Sequence, residues 1–368
     1  MTGAARGVPC HAVDVTRTVG EVLQDRANAL TAIRLVLAAM VLVAHAASIS
    51  GLADHPLVGG VGLGSWGVMG FFAISGYLVV QSRMRSGLGT FLVKQFLRLM
   101  PAFWMVNIVT AAVAAPFVAW WAGSSLDVGS AVRYPVENGL LVMRQWTIGG
   151  TLESAPYSSV WNGSLWTLAQ EAGWYLVVAF GLLGSTVRRH RTAASVLLLM
   201  TLTALTAVGV SFAVLGSFFA AGMLLNSVRD RLPVSLPLVA AAGLLLVVAG
   251  LTERVTLVAP LPLAYVVLAC SAVRLPSALL SRDLSYGVYL YAFPVSQVLA
   301  VVGVQRWGLS AFTVATAVLT VPLAWASWHW VEAPALRLAG RQRWPVAVTR
   351  DAHPPPVSRP EPASPPAG

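Results

Sequence analysis

Residues 30–49 read LTAIRLVLAAMVLVAHAASI, twenty positions in which Arg34 and His45 are the only charged or titratable side chains. At 1.5 Å per residue such a helix spans about 30 Å, the thickness of a bilayer's hydrocarbon core. Stretches of similar length and character recur at about 66–82, 102–122, 164–184, 193–209, 212–227, 234–251, 256–272, 284–304 and 309–330. The 368 residues are 57% hydrophobic and 10% charged, with a mean hydropathy of +0.73. That leaves too little polar surface to wet soluble domains. A membrane β-barrel is excluded because its strands would alternate apolar and polar residues over about ten positions rather than run apolar. The sequence therefore predicts an all-α fold: a polytopic membrane bundle of about ten transmembrane helices.

Orientation follows from the cations. With the N-terminus in the cytosol, the inner loops carry eleven (Arg83, Arg85, Lys94, Arg98, Arg188, Arg189, Arg191, Arg229, Arg231, Arg274 and Arg282), and the outer loops four (Arg133, Arg144, Arg254 and Arg306). The positive-inside rule then predicts that both termini are cytosolic. The net charge of +10 is explained by this orientation and calls for no nucleic acid, since no basic stripe is interleaved with exposed aromatics.

Three regions are expected: a cytosolic N-terminal segment over 1–28, a transmembrane domain over 29–338, and a cytosolic tail over 339–368. The last 24 residues hold eight prolines and too few large apolar side chains to bury a core, so disorder is expected there. Leu35 to Ala44 followed by Ala44-His45-Ala46 has the form of a signal-peptide core and cleavage site, but the long polar leader before it favours a retained span. Cys10 and Cys270 stand too far apart, in segments too different, for a disulfide framework or a metal site. No internal repeat of the kind found in many transporters is visible.

Arg34 and His45 are eleven residues apart, 20° beyond three full turns, so they share one helix face about 16 Å apart along the axis. Ionisable groups on one face of a membrane helix are costly unless that face lines a cavity or meets partners. An interfacial Arg and a helix-packing His would be the structural alternative. Glu171, in NGSLWTLAQEAGWYL, is expected at a depth similar to His45, where a carboxylate would raise the basicity of an imidazole and hold its tautomer. Lys94 and Arg98 lie at i, i+4 in FLVKQFLRLMP, and with Arg34 nearby they form a candidate phosphate site or, alternatively, plain juxtamembrane anchors. GGVGLGSWGVMGFFAISG, residues 59–76, has seven glycines, which allow close helix approach or leave room for a ligand. His329 and Glu332 sit at i, i+3 in SWHWVEAP, with His329 a second candidate base beside two anchoring tryptophans.

Together these strings resemble the membrane-bound acyltransferase-3 family, bacterial integral-membrane enzymes that move acyl groups, usually acetyl, onto sugar hydroxyls. The resemblance spans roughly residues 28 to 338. It rests on the Arg34/His45 pair, GVMGFFAISGYLV with Phe72, Ser75 and Gly76, the segment ending at Arg98 and Pro101, SLWTLAQE with Trp166 and Glu171, SYGVYLYAFP from Ser285 to Pro294, and WVEAP with Glu332 and Pro334.

The resemblance implies a protein of the bacterial cytoplasmic membrane with acyl-CoA, acetyl-CoA in the first instance, as donor and no permanently bound cofactor or metal. His45 is then expected as general base, oriented by Glu171, with Arg34 at the reaction centre. Arg34, Lys94 and Arg98 would hold the CoA phosphates, Glu332 would balance these cations, and Trp166, Ser75 and Tyr175 would contact substrate. Two positions depart from the family's pattern: Gln95 replaces the first Arg of its RxxR motif, and Met69 replaces an acidic residue in the second span. The acceptor would be a saccharide, glycolipid or macrolide-type hydroxyl. A non-catalytic exporter of a lipid-linked or acylated saccharide is the alternative.

Overall fold

A computed structural model describes residues 17–25, 28–54, 56–158, 160–275 and 282–341. Cys10 and all but the first three residues of the expected tail lie outside the described residues. Within them the chain is helical, with one short hairpin pairing Leu57–Val58 and Val61–Gly62. Among the described residues six helices are long and apolar enough to cross a membrane: Leu30–Ser50, Leu63–Met84, Leu88–Ala122, Ser211–Val228, Ser285–Val302 and Leu309–Leu338. Three more are apolar but shorter, Arg191–Ala207, Leu236–Leu251 and Pro260–Cys270. Each stretch expected to span is helical in the structure, and the protein is a multi-pass membrane helix bundle.

In chain order the helices are α1 (Val19–Gln24), α2 (Leu30–Ser50), α3 (Leu63–Met84), α4 (Leu88–Val109), α5 (Ala115–Ala122), α6 (Val128–Glu137), α7 (Trp166–Gly181), α8 (Ser185–Arg189), α9 (Arg191–Ala207), α10 (Ser211–Val228), α11 (Leu236–Leu251), α12 (Val255–Val258) and α13 (Pro260–Cys270). After them come α14 (Ser285–Val302), α15 (Leu309–Ser327) and α16 (Ala333–Arg341). The centre is α2, which packs on α3, α14 and α15, while α3 in turn packs on α10. Helix ends follow the local chemistry. Gly51 closes α2 and Gly123 closes α5, both left-handed, with φ of +66° and +65°, a conformation glycine adopts without a Cβ penalty.

The glycine-rich stretch has a packing reason. A Cβ on Gly76 would lie 2.0 Å from the Phe219 carbonyl oxygen, and one on Gly222 would lie 2.0 Å from that of Ala73. Helices α3 and α10 therefore touch backbone to backbone, as small residues permit where dispersion rather than water drives association.

Two helices run further than the hydropathy pattern predicts. The third span starts at Leu88 rather than near 102 and continues through a π-helical turn, Thr110–Ala114, to Ala122. Lys94 and Arg98 are thus part of its rod, not of a loop ahead of it. The last span continues through a second π-turn, Trp328–Glu332, into α16, which is described as far as Arg341. The segment before the first span also has structure: Thr18 caps α1 in a capping box with Glu21, Val19 and Val22 are buried, and the Val19 amide donates to the Leu232 carbonyl. Arg17 and Arg274 both pair with Asp25.

Those contacts join the 229–234 and 271–274 loops at one end of the bundle, where Arg83 also donates to the Ala179 carbonyl. At the opposite end Gly59 abuts Gly250, and the described residues between α6 and α7 form a cap. The cap is built on polar side chains. Asn138 accepts from the Arg144 and Gln145 amides, Trp161 Nε1 donates to Thr151 Oγ1 at 2.9 Å, and the Gln297 amide donates to the Tyr157 and Val160 carbonyls.

Candidate active site

Arg34 stands one turn into α2, and its guanidinium pairs with Asp283, just before α14. Asp283 also accepts from the Ser285 hydroxyl at 2.5 Å and from the Ser285 amide. Burial alone would push the Asp283 carboxyl up, but the Arg34 charge and the Ser285 hydrogen bonds outweigh it and hold the group below the usual carboxylate range. The pair opens onto a cavity of about 160 Å³ that Arg98, Glu171, Glu332 and Ser75 also line. Each carboxylate is held by hydroxyls. Glu171 accepts from Ser75 Oγ at 2.7 Å and from the Tyr175 hydroxyl, and Glu332, in the second π-turn, accepts from Ser327 Oγ at 2.8 Å. The Tyr286 hydroxyl donates to the Leu99 carbonyl at 2.8 Å and fixes α14 to α4 beside Arg98.

A second cavity, of about 540 Å³, contains His45, Ser48, Ser65, Ser164 and Trp166. His45 Nδ1 lies 3.3 Å from Ser164 Oγ, and its ring meets Phe293 edge-on with centroids 4.9 Å apart. The other side of His45 faces a third cavity of about 640 Å³, which reaches Asp54 and Tyr157 towards the cap. The arginine cavity and the histidine cavity share three wall residues, Val68, Thr167 and Tyr289. The molecule thus offers a chamber lined by two arginines and three carboxylates and a chamber lined by an imidazole, with Val68, Thr167 and Tyr289 common to both walls.

Arg34, Ser75, Arg98, Glu171 and Glu332 come together around the first cavity, and His45 and Trp166 line the second. Tyr175 lies behind Glu171 and faces an apolar pocket with Leu92, Phe96 and Met100. Lys94 lines neither of the two cavities. Glu171, expected beside His45, is instead placed in the arginine chamber on Ser75 and Tyr175, because Ser164, just ahead of α7, meets the imidazole and Glu171 lies a turn beyond Thr167 along the helix. His329 is half-buried, donates from Nδ1 to the Trp325 carbonyl at 2.9 Å and lies tilted against the Trp325 ring with centroids 4.1 Å apart. Among the described residues no three His, Cys, Asp or Glu side chains are grouped as a metal set.

Sequence reasoning missed Asp283, Tyr286, Tyr289 and Ser164. The spacing of Tyr286, Tyr289 and Phe293, at i, i+3 and i+7, marks one helix face and is a signal for two of them. Asp283 has no such signal, being 249 residues from its partner Arg34.

Residues 28–329 match the family described as an acyltransferase domain. Two curated relatives extend over most of the chain. An O-acetyl transferase of Shigella phage Sf6 is 28% identical over 337 residues, covering 83% of this chain and 95% of its own length. Nodulation protein 10 of Rhizobium leguminosarum bv. viciae is 28% identical over 362 residues, covering 84% of this chain and 94% of its own length. No solved structure matches the chain significantly. With most of its length inside the matched domain and the motif residues gathered around two adjoining chambers, the chain belongs to the acyltransferase-3 family.

Proposed function

We propose that the protein is an integral-membrane O-acyltransferase that moves an acyl group, acetyl in the first instance, from acyl-CoA to a hydroxyl of a saccharide, glycolipid or macrolide-type acceptor. The observation that carries this reading is the partition shared by a guanidinium-lined cavity and an imidazole-lined one. The name of the phage relative, O-acetyl transferase, points the same way.

In this reading Arg34 and Arg98 take the charge of the CoA phosphates, with Arg34 shared between phosphate and Asp283. Arg suits such a site because its planar fork stays charged and binds phosphate oxygens in pairs. The acceptor hydroxyl approaches His45 from the cap side. With Nδ1–H donated to Ser164 Oγ, Nε2 carries the lone pair and takes the hydroxyl proton as the oxygen attacks the thioester carbonyl. The C–S bond then breaks, the new ester forms, and the imidazolium returns its proton to the CoA thiolate. Glu171, Glu332 and Asp283 keep the arginines oriented. All ten helical stretches cross the bacterial cytoplasmic membrane, and the arginine chamber opens to the cytosol on the side of both termini.

Detergent-purified protein incubated with acetyl-CoA labelled on the acetyl group tests the reading. An acyltransferase releases CoA thiol faster than buffer does and passes label to water or to a saccharide acceptor. Saturable binding with the thioester left intact, whatever acceptor is supplied, would instead favour an exporter without chemistry.

A further inference from the structure

The partition between the two chambers is three side chains from three helices: Val68 of α3, Thr167 of α7 and Tyr289 of α14. It is tied shut. The Tyr289 hydroxyl donates to the Ser164 carbonyl at 2.8 Å and lies 2.5 Å from Thr167 Oγ1, which is itself 3.2 Å from the same carbonyl. Tyr289 and Thr167 are both buried, so their hydroxyls are satisfied by one another and by the backbone. Ser164, which anchors the strap, is also the residue on His45 Nδ1.

We infer that Val68, Thr167 and Tyr289 form a ring through which the acyl group must pass, and that this ring selects acyl groups by cross-section rather than by length. The inference rests on the acyl-transfer reading and adds to it a specificity-determining element. A linear chain presents the width of a methylene to the ring whatever its length, and about 540 Å³ of cavity beyond leaves room for several more carbons. A branch at the α-carbon presents an extra methyl at the ring itself. To admit it, Val68 must yield or the Tyr289 strap must open, and close packing resists both. Tyr289 is a positioning residue here, holding the ring and, through Ser164, the imidazole.

The test uses two isomeric donors, n-butyryl-CoA and isobutyryl-CoA, which differ in branching and not in atoms. The purified wild type is expected to favour n-butyryl by about tenfold or more in kcat/KM, the discrimination one misplaced methyl group gives in a tight apolar site. Val68→Ala, which removes two methyl groups from the ring and touches no hydrogen bond, should raise the isobutyryl to n-butyryl ratio by about tenfold while moving the n-butyryl to acetyl ratio by less than about threefold. Tyr289→Phe should shift the isomer ratio the same way. If it does not assemble, Val68→Ala carries the test alone. An unchanged isomer ratio in a folded Val68→Ala protein, or both butyryl donors rising together, overturns the ring. Wild type that transfers acetyl without preferring either isomer overturns the ring and leaves the acyltransferase reading standing. Wild type that transfers no acyl group overturns both.

Discussion

His45 is gripped on one edge by Ser164 and on one face by Phe293, and it looks into chambers on both sides. A residue placed only for packing would be replaceable by another side chain of similar reach; a base would not. Asn keeps hydrogen-bonding capacity but accepts no proton near neutral pH. His45→Asn is therefore expected to lower acyl transfer by about 10² to 10⁴-fold, as His45→Ala does, with donor binding retained. Transfer assays beside acyl-CoA binding on the same preparations decide this. An active Asn variant would make His45 a packing residue. The titratable residues at this scale were legible in the sequence because charge inside an apolar span is expensive and so needs a reason. Their partners were not. Arg34 meets Asp283 only because α2 and α14 pack side by side, and Glu171 meets Ser75 only because α7 lies on α3.

At the scale of elements, the contact between α3 and α10 is the sharpest feature. Gly76→Ala sets a methyl group against the Phe219 carbonyl and must push the helices apart. It should cost about 1 to 3 kcal/mol, as overpacking does, seen as a lower melting temperature of the detergent-solubilised protein. Gly173→Ala on α7 meets nothing within 4 Å and removes only backbone freedom, so its melting temperature should be unchanged or raised by the equivalent of up to about 1 kcal/mol. Equal losses in both would mean that α3–α10 proximity is not what requires Gly76. Element positions followed from apolar runs, yet the start of the third span was misplaced by fourteen residues. Hydropathy stops at Lys94 and Arg98, whereas the helix continues because Arg98 has a carboxylate-lined chamber to enter.

For the whole molecule, the described contacts sort the loops into two ends. Residues around 17–25, 83–86, 179–188, 229–234 and 271–274 share one end, and the hairpin and the cap share the other. By the positive-inside rule the first end is expected in the cytosol. In a background lacking Cys10 and Cys270, a membrane-impermeant maleimide applied to intact cells should label Leu52→Cys and spare Thr90→Cys and His190→Cys. Labelling at 90 and 190 with none at 52 would invert the protein and move the arginine chamber away from cytosolic acyl-CoA.

What the sequence determined by itself is whatever depends on one segment at a time. Chain solvent, helix positions and the shared face of Arg34 and His45 are set by transfer free energy and by the 3.6-residue period, both local. The tertiary structure alone decided what depends on which helices are neighbours: the Arg34–Asp283 pair, the transfer of Glu171 from the imidazole to the arginine chamber, and the ring of Val68, Thr167 and Tyr289 from three helices. Helix adjacency is chosen by side-chain packing across the whole bundle, and in an apolar solvent hydropathy does not distinguish one apolar face from another. No reading of segments one by one contains that choice.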